Sequence, residues 1–225
     1  MRVENAVLVD LHVHTKLSRD SQASAEAYLT LAATHLPMLA AICFTEHRRY
    51  AIDRETEHAY AELQARFGVR IFRGIEADSD LGHLLILGVT PALSRRFNLE
   101  DRMLRAERLI EFVHGDGGIA IPAHPFRDSG YGPRLDALLA KLGPALNTVE
   151  VINGQNTPEQ NAEAIAASEK LGLNRVGGSD AHFASPKWFM TCATALEREV
   201  STVEELCVEL RAGRARPYQF PSESK

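Results

Sequence analysis

Six of the nine histidines in this 225-residue chain stand where short apolar runs begin or end, and their spacing suggests a metal site. His12 and His14 flank Val13 in the run Val9-Asp10-Leu11-His12-Val13-His14-Thr15. In a strand, residues i and i+2 share a face, so both imidazoles can grip one ion. On a helix they would stand roughly 200° apart and could not converge. Asp180-Ala181-His182 repeats the same spacing near the other end of the chain. His47, Glu76 and His124 each end a further apolar run, whereas His83 begins one and is ambiguous from the residues alone. Glu46 and His47 are adjacent, so a strand would aim them at opposite faces. His47 is the better ligand, and Glu46 either orients a ligand from behind or is solvated. Three divalent ions with Asp20, Glu76 and Asp180 as the anionic ligands would leave the site net positive. Such a site favours a phosphate ester over a neutral amide.

The elements that must carry these residues follow from periodicity and punctuation. Buried strands are expected at 6–11, 38–45, 69–75, 83–89, 119–122, 148–152, 175–178 and 190–196, the third and fourth forming a hairpin-like pair. Helices are expected at 24–35, 53–67 (with Asp53 as N-cap and Gly68 as stop), 99–114, 135–142, 158–171 and 203–212. In the helix 99–114, Leu99, Met103, Ala106, Ile110 and Val113 would share the apolar face. Strands alternating with helices imply a parallel α/β arrangement in one domain spanning 1–225. Residues 214–225 read as a frayed polar tail. In an α/β barrel the C-terminal rim of the strands is where sites are built, and the ligand-type residues cluster there. If the barrel closes, its first and last strands are neighbours, which brings His12 and His14 to Asp180 and His182.

Composition sets the outer bounds. Hydrophobic residues make up 45% and charged residues 24%, with a net charge of −5. That mildly acidic balance gives no general reason to bind nucleic acid or an anionic membrane. The chain has no apolar run of about 18 residues, so no membrane span is expected. The start Met1-Arg2-Val3-Glu4-Asn5 does not read as a secretory signal. Cys43, Cys192 and Cys207 are odd in number and widely spaced, which suits a reducing cytoplasm better than a disulfide framework or a cysteine zinc site. Neither a Gly-x-Gly-x-x-Gly fingerprint nor a P-loop occurs.

The ordered motifs HVHT-x-x-S-x-D (12–20), TEH (45–47), GIE (74–76), GH (82–83), AHP (123–125) and GSDAH (178–182) resemble the PHP (polymerase and histidinol phosphatase) family of metallohydrolases. The resemblance spans positions 12 to 182. It implies a distorted seven-stranded (β/α) TIM-like barrel with a trinuclear metal site at the C-terminal rim. Carried over by motif, one ion would take His12, His14, Glu76 and Asp180. A second would take Glu76, His83 and His124, and a third Asp20, His47 and His182. Glu46 departs from the Asp usual before that histidine. Mixed imidazole and carboxylate ligation suits Zn²⁺, Mn²⁺ or Fe²⁺.

These readings predict a cytoplasmic phosphoesterase that cleaves a small-molecule phosphate monoester with a metal-activated water, Asp180, His182 and Glu76 acting through the ions. Arg127, just after the AHP motif, is the first choice for clamping the phosphate, with Arg48 and Arg49 next. A phosphodiesterase acting on nucleotides or oligonucleotide ends is the alternative. Arg102, Arg105 and Arg108, three apart on one predicted helix, and Arg211, Arg214 and Arg216 could track a phosphate backbone. From another class, a non-catalytic metal-binding interaction module would use the same ligands.

Overall fold

The computed structural model describes residues 7–50, 53–127, 135–142 and 145–221. The first strand, β1 (Val7–Val13), is apolar on both faces and buries Leu8, Val9, Leu11 and Val13 completely. It therefore lies inside the sheet, between β2 (Leu39–His47), which runs parallel, and β8 (Cys192–Leu196), which runs antiparallel. β3 (Arg70–Ser79) continues the parallel run beyond β2. β4 (Gly82–Leu87) folds back on β3 as the expected hairpin, and β5 (Ile119–Pro122) pairs antiparallel with β4. β9 (Ala215–Gln219) closes the other edge. The seven strands curl as a half-barrel in the order β5-β4-β3-β2-β1-β8-β9. β6 (Thr148–Asn153) and β7 (Asn174–Gly178) form a separate parallel pair that packs beside β5, β1, β8 and β9. Val9 and Leu11 join Cys43, Leu85, Leu87, Ile119, Ile121 and Val176 in one cluster.

Helices cover the sheet. α1 (Ala25–His35) is capped by Ser24, whose Oγ accepts the Ala27 N–H, and buries Tyr28 and Leu29. α2 (Arg54–Phe67) starts at Asp53, which accepts the Thr56 N–H, and stops at Gly68 in the left-handed region. Asp53 as N-cap and Gly68 as stop are as the sequence leads one to expect. After α3 (Pro91–Arg96) come α4 (Ala106–Gly115) and α5 (Leu135–Leu142). α6 (Pro158–Leu171) opens on a capping box formed by Thr157 and Gln160. α7 (Pro186–Phe189) and α8 (Val203–Arg211) complete the set, and Leu206, Cys207 and Leu210 of α8 join the inner cluster.

The structure corrects four expectations. The sheet is mixed beyond the expected β3–β4 hairpin, because β8 also runs against β1, β2, β3 and β5. Among the described residues, β5 and β6 share no ladder, so the expected closed barrel is represented by an open sheet and a two-stranded one. The helix expected at 99–114 begins only at Ala106. Its first turns are replaced by a connection of turns and bends in which Leu104 donates to the Asp78 carbonyl and accepts from the Asp80 N–H. Asp80 Oδ1 also takes the Ala106 N–H, so the hairpin tip outcompetes helical hydrogen bonds and Met103 is left 61% exposed. Finally, the tail expected to fray contains β9, an edge strand where Pro217 costs no sheet hydrogen bond that a neighbour needs. Glu209 anchors it by accepting from Arg214 at 2.7 and 2.9 Å. Residues 1–6 and 222–225 lie outside the described set. Cys43, Cys192 and Cys207 are buried free thiols. Among the described residues, no helix is long and apolar enough to cross a membrane.

Candidate metal centre

The strand ends bring the ligand-type residues together from six elements. β1 supplies His12 and, one residue past its end, His14; β2 ends at His47. Glu76 lies within β3, and His124 and Asp180 each follow a strand by two residues. His83 is the second residue of β4, opposite Asp78. Because β4 is antiparallel to β3, its beginning lies at the rim where the parallel strands end, which removes the ambiguity about His83. The meeting of His12 and His14 with Asp180 and His182 also occurs, though not by pairing of complete strands. The Asp180 N–H donates to the His12 carbonyl at 2.7 Å, the His14 N–H donates to the Ala181 carbonyl at 3.0 Å, and Val13 and Ala181 form a parallel bridge. Arg48, His124 and Asp180 all adopt positive φ, at 53°, 33° and 53°. Positive φ is costly for residues with a side chain, so the surrounding structure must hold these three strand ends in place.

Three groups of potential ligand atoms result, the atoms within each lying within 4.8 Å of one another. His12, His14, Glu76 and Asp180 form the deepest, and Glu76, His83 and His124 the second. His14, His47 and His182 form the third, and Asp20 borders it, with Oδ2 3.2 Å from His47 Nε2 and 3.7 Å from His182 Nε2. Glu76 joins them: its Oε1 is 2.8 Å from His83 Nδ1 and 3.0 Å from His124 Nε2, and its Oε2 is 3.0 Å from His47 Nδ1. The deepest group is fully buried, whereas the Asp20 side chain is 56% exposed.

The donor set fits divalent cations on a direct observation. His12 Nε2 and His14 Nε2 each lie 3.3 Å from Glu76 Oε2 and from Asp180 Oδ1. Yet His12 Nε2, His14 Nε2 and Glu76 Oε2 are buried without a hydrogen bond. Buried polar atoms that face one another unsatisfied are costly, and a shared cation removes that cost. The electrostatics agree. Burial works against charge on His14, but Asp180 and Glu76 outweigh it and raise its pKa to about 9. His12 is likewise raised despite burial, by Asp180, Glu150 and Glu76. Burial opposes ionisation of Glu76 and Asp180, yet His12 and its neighbours hold both carboxyls well below their usual range. A divalent cation displaces such protons when it binds.

The arginines separate. Arg127 reaches the site, with one Nη2 2.8 Å from Asp180 Oδ2 and 2.6 Å from Asn153 Oδ1, and its Nε donating to Asn156 Oδ1 at 2.9 Å. Arg48 pairs with Asp78 Oδ2 at 2.9 Å, and Asp78 Oδ1 faces His83 Nε2 at 3.5 Å. Arg49 is exposed, and among the described residues no hydrogen bond or ion pair joins it to the clustered groups. Glu46 is not solvated: it is buried and accepts from the Thr15 N–H and hydroxyl and from Ser18 Oγ at 2.5 Å. Ser18 Oγ in turn accepts the His47 N–H at 3.0 Å and lies 3.4 Å from His14 Nδ1. Arg102, Arg105 and Arg108 do not share one helix face, and Arg105 is tied to Asp80 at 3.0 Å. Sequence reading gave no role to Glu150, Asn153 or Asp78. A carboxylate inside the apolar strand Val149-Glu150-Val151 was the available signal, because a buried charge requires partners.

A model of the PHP-associated family matches residues 158–215, a segment that includes Asp180 and His182, and the resemblance read from the motifs is borne out there. No curated protein matches the sequence. Among solved structures, PsfC from Pseudomonas syringae is 24% identical, with 97% of this chain and 93% of that one covered and a TM-score of 0.67. The lesion-specific endonuclease PfuEndoQ from Pyrococcus furiosus is 19% identical over 94% of this chain and 57% of its own, with a TM-score of 0.63. A protein from Bifidobacterium adolescentis assigned as a metal-dependent phosphoesterase is 17% identical over 79% of this chain and 89% of its own, with a TM-score of 0.57. The chain shares the fold of these proteins.

Proposed function

We propose that this chain is a metal-dependent phosphoesterase whose substrate is a small phosphate monoester. The observation that carries the reading is the convergence of three ligand groups, two mixing imidazole with carboxylate and one made of His14, His47 and His182, linked through Glu76 and His14 around His12 Nε2 and His14 Nε2, which are buried without a hydrogen bond. In this reading His12, His14, Glu76 and Asp180 hold one ion, Glu76, His83 and His124 a second, and Asp20, His47 and His182 a third. Divalent Zn, Mn or Fe would supply a water of lowered pKa and positive charge for the phosphoryl oxygens. The residues do the rest. Glu76 spans the groups with its two oxygens, and Asp180 and His182 fix one side of the reacting centre. Asp20, the exposed member, stands where an ester enters from solvent. Arg127, held beside Asp180, orients a phosphate at the rim, with Arg48 behind Asp78 in a lesser role. The fold shared with a protein assigned as a metal-dependent phosphoesterase supports the reaction class.

The fold shared with a lesion-specific endonuclease favours one other reading, cleavage of a phosphodiester in a nucleic acid. One experiment separates them. Purified chain is loaded with Zn²⁺, Mn²⁺ or Fe²⁺, its metal content measured, and its rate compared on sugar and amino-alcohol phosphates, nucleotides and labelled oligonucleotides. The monoesters should be cleaved fastest, and Asp180→Ala should abolish both metal and turnover. Faster cleavage of oligonucleotides, with binding that falls steeply with salt, would replace monoesterase by nuclease. A metal-loaded chain inert to every ester would leave a metal-binding interaction module.

A further inference from the structure

β6 contributes no residue to the three ligand groups, yet its Glu150 touches more of the site than some of their members do. Glu150 is buried, and its Oε1 lies 3.0 Å from His12 Nδ1. Its Oε2 accepts the His124 N–H at 2.8 Å and an Asn153 Nδ2–H at 2.9 Å. Asn153 then extends to the third strand of the site, its Nδ2 3.3 Å from Asp180 Oδ2 and its Oδ1 accepting from Arg127. One carboxylate therefore braces the ring of His12, the strained backbone of His124 and, through Asn153, Asp180. Gly178 of β7 leaves room for this: a Cβ there would stand 2.5 Å from His12 Cβ, 3.0 Å from His12 N and 3.1 Å from Glu150 Oε1.

We propose that Glu150 is the positioning residue that fixes the tautomer of His12 and so sets the metal affinity of the deepest ligand group. The proposal rests on the metal-centre reading above. A carboxylate against Nδ1 keeps the proton on Nδ1, leaving the lone pair on Nε2, the atom that faces Glu76 and Asp180. Glu150 can do this because both oxygens accept. A glutamine of the same shape has one acceptor for donors on two sides. If its amide faces His12, the ring must carry its proton on Nε2, where the cation belongs. If its amide faces the His124 N–H, two donors oppose each other at a residue whose φ is already 33°. Either arrangement disturbs the groups containing His12 and His124 and leaves His47 and His182 untouched.

The test compares wild-type protein with Glu150→Gln and Glu150→Asp by metal competition against a graded series of chelators and by ¹⁵N NMR of labelled histidine in the loaded protein. Glu150→Gln should weaken the tightest-bound metal about 10- to 100-fold. The most labile metal should keep its affinity, and a histidine should lose its protonated-Nδ1 signature. Glu150→Asp keeps two acceptors and should recover part of that affinity. A general packing role would instead weaken all metals in parallel without a tautomer change, and that result overturns the proposal. So does unchanged affinity in Glu150→Gln. If that variant fails to fold, the wild-type spectrum decides: a His12 ring protonated on Nε2, assigned through loss of its signal in His12→Ala, overturns it as well. Wild-type protein that binds no metal would sink the metal-centre reading itself, an outcome distinct from the others.

Discussion

Arg127 and Asp180 meet through the carboxylate oxygen that the buried imidazoles leave free: Nη2 lies 2.8 Å from Asp180 Oδ2, while His12 and His14 face Oδ1. The two oxygens of Asp180 thus face different partners, ring nitrogens on one side and a guanidinium on the other. Removing the guanidinium should leave the Oδ1 side standing. Arg127→Ala is expected to retain its metal complement, with affinity changed less than tenfold, while kcat/KM for the ester falls about 100-fold, the scale of losing one preorganised donor. Arg127→Lys should recover little, because a point charge cannot reproduce the fork that also engages Asn153 and Asn156. Steady-state kinetics beside elemental analysis distinguishes the outcomes. Loss of metal with activity would reduce Arg127 to a support for Asp180.

Asp20 differs from every other proposed ligand in its exposure, and the difference has a consequence for metal content. His12, His14, Glu76 and Asp180 are buried, whereas Asp20 sits on the loop after β1 at 56% exposure. Ligands open to water exchange more readily. Asp20→Ala should therefore lose one ion of three while the deep ones stay, and a mild chelator should remove one equivalent from wild-type protein before the rest. Metal counted by mass spectrometry after timed chelation checks both. Simultaneous loss of all ions from the variant would show that Asp20 supports the whole centre.

The sequence made the site more legible than the frame that carries it. His12-x-His14 and Asp180-x-His182 announce themselves because a strand's two-residue period puts both members on one side. The capping residues Ser24, Asp53 and Thr157 and the stop at Gly68 act through local hydrogen bonds, so local sequence suffices to find their helices. The failures were non-local. Nothing near residue 99 shows that the β3–β4 tip will take the backbone of Leu104. Nothing near Ala215 shows that β8 offers it an edge. His83 is ambiguous from strand ends alone and gains its place from the motif resemblance and the hairpin, whereas Glu150 has no visible role without its partners 138 and 26 residues away.

The edge strand that the sequence hid also makes a test of its own. Glu209 of α8 is buried and accepts from Arg214 at 2.7 and 2.9 Å and from Arg198 at 2.7 Å, fastening the turn into β9. Hydrogen bonding by Arg214 outweighs burial and, with Arg198, lowers its pKa to about 2, against 4.5 for the free side chain. A carboxyl depressed in the folded state stabilises the fold above its unfolded pKa, and that contribution disappears as pH falls from 4.5 toward 2. Both arginines are about half exposed, so water screens the pairs and the effect should be about 1 kcal/mol. Urea unfolding of metal-free wild type and Glu209→Gln should therefore differ by about that much at pH 7 and progressively less below pH 4.5. Equal midpoints at pH 7 would mean that β9 is held by its ladder with β8 alone. A constant difference down to the lowest pH would mean that the variant acts through packing and not through charge.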